Sequence, residues 1–99
     1  MMTETAASTQ TGGTMDSVAV TVRYFAAARA AAGAEYETVS VPRGVGVAGL
    51  AETLSGRNER LAAVLSRCSY LRDGVAVRDH EAALRPGETV DVLPPFAGG

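Results

Sequence analysis

Between residues 18 and 25 the chain alternates strictly, with Val18, Val20, Val22 and Tyr24 on one parity and Ala19, Thr21, Arg23 and Phe25 on the other. Period two predicts a strand with one buried face, and the valine set should face the core. Phe25 then falls on the opposite face at the strand's end, where an uncovered aromatic ring would be conspicuous. Ala26–Ala32 is alanine interrupted only by Arg29 and followed by Gly33, which predicts one or two helical turns with a glycine stop.

Residues 35–41 predict a second strand with Glu37, Val39 and Val41 on one face, ended by Pro42-Arg43-Gly44; the short connection suits an antiparallel pair with the first. Val47, Leu50, Ala51 and Leu54 then recur at helical spacing before Gly56. After a polar break at 57–60, Leu61, Val64, Leu65 and Cys68 repeat that spacing and predict a second short helix. Asp73-Gly74 between apolar pairs is a hairpin signal. Residues 80–84 read as one helical turn, and Arg85-Pro86-Gly87-Glu88 as a type II turn, with proline at its second position and glycine at its third. The last strand, 89–93, should turn Val90 and Val92 inward and Asp91 and Leu93 outward. Five strands with a packed helix describe an α+β domain of β-grasp outline, with a ferredoxin-like arrangement as the alternative.

Residues 1–16 are rich in Thr, Ser, Gly and Ala and carry little that could be buried, so a disordered tail is expected there, with Met15 as a second possible start. The body, 17–93, is one domain. Hydrophobic residues make up 46% and charged residues 20% of the 99, which is ordinary for a globular chain. A net charge of −2 with scattered signs lacks the basic footprint of a nucleic-acid binder. No stretch has the apolar length of a membrane span or the form of a signal peptide, so a cytoplasmic protein is expected, with neither nucleic acid nor membrane as partner.

Candidate chemistry is sparse. Cys68 is the only thiol, which excludes an internal disulfide framework; at an apolar helical position it reads first as a small buried side chain. His80 lies between Asp79 and Glu81 and reads as solvated, as do the dispersed acids Glu35, Glu37, Asp73, Asp79, Glu81, Glu88 and Asp91. No His, Cys, Asp or Glu group has metal-ligand spacing, and Gly44, Gly46 and Gly49 lack the Lys-Ser/Thr of a phosphate loop. What remains is the end of the chain. Pro94-Pro95 cannot continue a ladder and favours a stiff, extended segment, while Gly98-Gly99 can enter a slot too narrow for any Cβ. A frayed terminus is the competing reading.

Three segments carry a resemblance: Val-Arg-Tyr-Phe-Ala-Ala-Ala-Arg-Ala-Ala-Ala-Gly at 22–33, Leu-Arg-Pro-Gly-Glu-Thr-Val at 84–90, and the ending Leu-Pro-Pro-Phe-Ala-Gly-Gly. Over residues 17–99 the chain resembles the MoaD-type small subunits of molybdopterin synthase, within the MoaD/ThiS family of ubiquitin-like sulfur carriers. The most specific parts are Phe25, Ala26 and Arg29 at one end and Pro-Pro-x-x-Gly-Gly at the other; Asp73-Gly74 and Pro86-Gly87 depart from the family's usual turns.

The resemblance implies a β-grasp fold with a flexible, protruding tail at 94–99, no bound cofactor, and no self-contained active site. It implies that a ubiquitin-activating-type adenylyltransferase uses ATP to adenylate Gly99, and that a persulfide donor converts it to a thiocarboxylate. The loaded tail then enters the synthase large subunit, in an expected heterotetramer, and gives sulfur to a pyranopterin precursor. Partner contacts are expected from Leu93, Pro94, Pro95, Phe96, Ala97 and Gly98, with Phe25 as part of an apolar surface and Arg29 as a charged neighbour. Sulfur carriage for thiamine or cysteine synthesis, a ubiquitin-like conjugation tag and a plain binding module remain open alternatives.

Overall fold

Valine parity builds the sheet. In β1 (Ser17–Tyr24) the side chains of Val18, Val20, Val22 and Tyr24 are all buried, and β2 (Tyr36–Pro42) runs antiparallel to it with Val39 opposite Val20 and Val41 opposite Val18. The last strand, β5 (Thr89–Leu93), lies on the other side of β1 and runs parallel to it, with Val90 opposite Val22 and Val92 opposite Tyr24. Beyond it come β3 (Ser69–Arg72) and β4 (Val75–Ala76), giving the order β2-β1-β5-β3-β4. This computed structural model describes residues 16–95; the tail expected before Asp16 and residues 96–99 lie outside the described residues.

Three helices complete the described residues. Helix α1 (Ala26–Ala32) follows β1 and ends at Gly33, whose φ of 75° only glycine adopts readily and whose N–H donates to the Arg29 carbonyl. Helices α2 (Val47–Ser55) and α3 (Glu59–Leu65) bury Val47, Leu50, Leu54, Leu61 and Leu65 in the same core as the valines. The mixed sheet with helices packed on it is the ubiquitin-like β-grasp architecture expected from the sequence.

Four local expectations are corrected. The polar break at 57–60 is the start of α3: the Asn58 side chain accepts a hydrogen bond from Leu61 N at 2.7 Å, capping a helix that begins at Glu59. Cys68 falls outside that helix, because after Leu65 the chain tightens into three-residue turns, Arg67 N to Val64 O and Cys68 N to Leu65 O. Residues 80–84 form no helix, since their backbone groups bond elsewhere: His80 O accepts from Ala48 N, and Leu84 N donates to Val45 O. Asp91 faces away from the core as its parity predicts, but it is buried rather than solvated. Both turn readings hold: Asp73 and Gly74 have φ of 46° and 86°, the positive pair a tight hairpin requires, and Glu88 N closes on Arg85 O with Gly87 at φ 82°.

The loop from Val77 to Glu88 is fastened at both ends. Arg72 forks onto Glu88 and also donates to the carbonyls of Ala82 and Ala83, while at the other side the loop backbone lies directly on Gly46. A Cβ at Gly46 would stand 2.7 Å from the Ala82 carbonyl oxygen and closer still to that of His80. Gly46→Ala is therefore expected to lower unfolding free energy by about 1–3 kcal/mol, the usual cost of overpacking against backbone. Gly56→Ala, at φ −70° where a Cβ would meet only the Thr53 and Glu52 carbonyl oxygens at 3.4 and 3.8 Å, ordinary contact distances, should match or slightly exceed the unaltered protein. Urea denaturation of the three proteins checks both.

Candidate functional site

The parallel pairing of β1 with β5 brings the ends of the two strands to one edge of the molecule. Phe25 N donates to Val92 O at 3.2 Å, so Phe25 sits beside Leu93, from which Pro94 and Pro95 lead out of the sheet. Leu93 and Pro94 are half-buried and Pro95 is exposed. Phe25 has left the strand: it is the extended residue before α1, 37% exposed, with the Arg23 guanidinium 5.4 Å from its ring centroid. This places an aromatic face at the root of the tail. Arg29, on α1, is exposed and faces Glu35 at 3.8 Å, a separation that leaves it open to other anions.

Two recesses flank the strand ends. One of about 190 Å³ lies between α1, α3 and the proline pair, lined by Ala27, Ala63, Val64, Arg67, Pro94 and Pro95. The other, of about 270 Å³, is lined by Arg23, Tyr24, Phe25, Arg29, Glu35 and Tyr36. Phe25, Arg29, Leu93, Pro94 and Pro95 thus gather around one corner of the fold, whereas Phe96, Ala97, Gly98 and Gly99 lie outside the described residues. Tyr36, 65% exposed and opposite Arg23 across the β1–β2 pair, belongs to the same surface and escaped the sequence reading. Its parity in β2, opposite to that of Val39 and Val41, was the available signal.

Elsewhere the chemistry is structural. The Cys68 thiol donates to the Val64 carbonyl at 3.3 Å, and burial pushes its pKa up, which keeps it protonated and a weak nucleophile. His80 packs edge-on against Tyr70, whose hydroxyl burial pushes up to about 12. Among the described residues no group of three His, Cys, Asp or Glu could hold a metal ion, and no helix is long and apolar enough to cross a membrane.

Three of the acids read as solvated are in fact held by arginines. Asp91 takes Arg23, Glu88 takes Arg72, and Glu37 takes Arg57 together with the Tyr24 hydroxyl at 2.6 Å. Burial alone would raise the Glu37 carboxyl, but hydrogen bonds from Arg57 and Tyr24 outweigh it and hold the group below its ordinary 4.5. Glu88 is lowered in the same way by Arg72 and the Arg85 N–H, again against the push of burial.

A family model described as the ThiS family matches residues 22–99. The chain belongs to the ThiS family. This bears out the resemblance read from its two ends, and further similarities agree with it. The chain is 32% identical over 82 residues to the human molybdopterin synthase sulfur carrier subunit, covering 81% of this chain and 93% of that protein. Its fold is similar to the solution structure of the HVO 2177 protein of Haloferax volcanii, at a TM-score of 0.75 and 28% identity over 85% of this chain and 89% of that one. A protein from Pyrococcus furiosus assigned as molybdopterin converting factor, subunit 1, matches at a TM-score of 0.72 and 29% identity, over 80% of this chain and 99% of that chain.

The lowered glutamates of this ThiS-family fold make its stability depend on pH. A carboxyl with a folded-state pKa below its unfolded value stabilises above the unfolded value, and that contribution disappears as pH falls through the folded one. Unfolding free energy should therefore decline as pH drops below about 4.5, and the decline should be shallower in Glu88→Gln and in Glu37→Gln. Chemical denaturation at a series of pH values measures the slopes; equal slopes in all three proteins would contradict the assignment.

Proposed function

We propose that this ThiS-family chain is a sulfur carrier and serves as the small subunit of a molybdopterin synthase. The observation that carries the reading is its similarity along 93% of the human molybdopterin synthase sulfur carrier subunit. The geometry is compatible with it: the sheet ends in a proline pair beside an exposed aromatic ring, and four residues beyond Pro95 extend roughly 13–14 Å if stretched out. That is enough to carry a carboxylate into a pocket on another protein.

In this reading the reaction runs at Gly99. A carboxylate is a poor electrophile, so a ubiquitin-activating-type adenylyltransferase first joins it to the α-phosphate of ATP, releasing pyrophosphate. A persulfide sulfur then attacks the acyl carbon and displaces AMP, and cleavage of the sulfur–sulfur bond by a thiol leaves the thiocarboxylate. The loaded tail enters the large subunit of the synthase, which supplies the catalytic side chains; its sulfur attacks the pterin precursor to form a thioester with the carrier, and water cleaves the acyl carbon–sulfur bond, leaving sulfur on the pterin and returning the Gly99 carboxylate, so that two such transfers build the dithiolene. ATP and reducing thiols place these steps in the cytoplasm. The carrier itself holds no cofactor, and Gly98 and Ala97 are small enough for a narrow channel.

Intact mass spectrometry after incubation with an adenylating partner, ATP and a persulfide donor should show one oxygen of the chain exchanged for sulfur. Persistent absence of that product with a competent partner would refute the carrier reading, and ladders of larger conjugates in cell extract would point to a tag instead. Deleting Gly99, or adding one residue after it, should abolish sulfur transfer while changing stability by no more than about 0.5 kcal/mol. Gly98→Ala should impair transfer by placing a Cβ in the channel. Full transfer after the deletion or the addition would sink the tail mechanism.

A further inference from the structure

On the sheet face opposite the helices, one charge stands apart. Asp91 is only 7% exposed, the lowest exposure of any charged residue among those described, and it lies two positions before Leu93. A carboxylate so placed needs a partner to offset its lost hydration. Arg23, opposite it in the parallel β1–β5 register, supplies one with a two-pronged contact, Nε to one oxygen at 2.7 Å and Nη2 to the other at 3.2 Å. This planar fork fixes the guanidinium in orientation as well as distance, which a lysine could not do.

The fixed guanidinium lies against the Phe25 ring, where a cation over an aromatic face is attracted to it. Phe25 is therefore held twice by adjacent residues of the last strand: its N–H bonds the carbonyl of Val92, and its ring packs on an arginine gripped by Asp91. On its other side the chain turns sharply through Ala26 at φ 49°, a left-handed conformation that alanine adopts only under constraint. Both anchors on the last strand, Asp91 and Val92, lie just before Pro94.

Resting on the sulfur-carrier reading, we propose that Arg23 is a positioning residue: clamped by Asp91, it holds the Phe25 ring as a rigid docking face beside the root of the tail. It thereby sets how tightly an adenylating partner takes the carrier, without touching the reacting carboxylate. A surface ion pair with no such role would affect stability alone.

Two measurements on the full chain decide between these. The first needs no partner: amide hydrogen exchange at Phe25 should quicken by about fivefold or more in Asp91→Asn and in Arg23→Leu, while Val20 in the core of the same strand is unchanged beyond any global loss of stability. The second uses an adenylyltransferase that activates the unaltered chain. The KM for the carrier should rise by about fivefold or more in both variants, with kcat within about twofold, as expected when binding rather than the chemical step is weakened. The double variant Arg23→Leu/Asp91→Ala leaves no buried charge unpaired, so it separates positioning from stranded-charge damage. It should keep the raised KM and the faster Phe25 exchange; a return of both to the values of the unaltered chain would overturn the proposal. If no adenylyltransferase activates the unaltered chain, the sulfur-carrier reading fails, and Phe25 exchange in the double variant still decides whether Arg23 positions the ring.

Discussion

The parallel pairing of the first strand with the last is the constraint on which the rest of the structure depends. A parallel pair cannot be closed by a tight turn and needs a long crossover. Here the crossover is nearly the whole domain: α1, β2, α2, α3 and the β3–β4 hairpin all lie between β1 and β5 in sequence. The two strands consequently finish together, and Phe25 and Leu93, far apart in the chain, become neighbours. A surface built from both ends exists only when the whole domain has folded.

Polar contacts then fix what burial leaves loose. Valines on the inner face set which side of each strand is covered, but they are nearly interchangeable in shape and do not by themselves choose a register. Three close arginine–carboxylate pairs are less forgiving. Glu37 with Arg57 ties the outer strand β2 to the segment after α2, Arg72 with Glu88 ties β3 to the entry of β5, and Arg23 with Asp91 ties β5 to β1. A slip of one residue would turn the strand-borne carboxylate or guanidinium of each pair to the opposite face. The pairs favour one alignment chiefly by making the others worse.

Much of this was legible from single-strand and single-helix patterns. The spans of β1, β2 and β5, the alanine helix, both glycine-bearing turns and the inward parity of Val90 and Val92 all follow from local periodicity. The misses lie where a residue's fate is set by something distant. Asp91 has outward parity, and only the register with β1 shows that Arg23 and its neighbours cover it. Asn58 looked like part of a polar break because a cap and a break share the same residue types. Residues 80–84 have the composition of a helical turn, but their carbonyl and amide groups are claimed by α2 and its preceding loop. Of the candidate surface, Phe25, Arg29, Leu93 and the proline pair could be named from the sequence, whereas Tyr36 and Arg23 needed the strand pairing to bring them to the same corner.

The proline pair has one more implication. Pro94 and Pro95 present carbonyl oxygens but no N–H, so for two successive residues the backbone is an acceptor and nothing else. A β-strand from another protein aligned along this stretch would find its own acceptors there facing no donor. A groove that recognises the segment must therefore be asymmetric, lined with N–H, hydroxyl or guanidinium groups and poor in free carbonyls. The same polarity discourages a second copy of the chain from zipping onto the strand's end, since two such segments laid side by side would both offer oxygen. The exit from the sheet is thus selective in hydrogen-bond sign before any side chain is read.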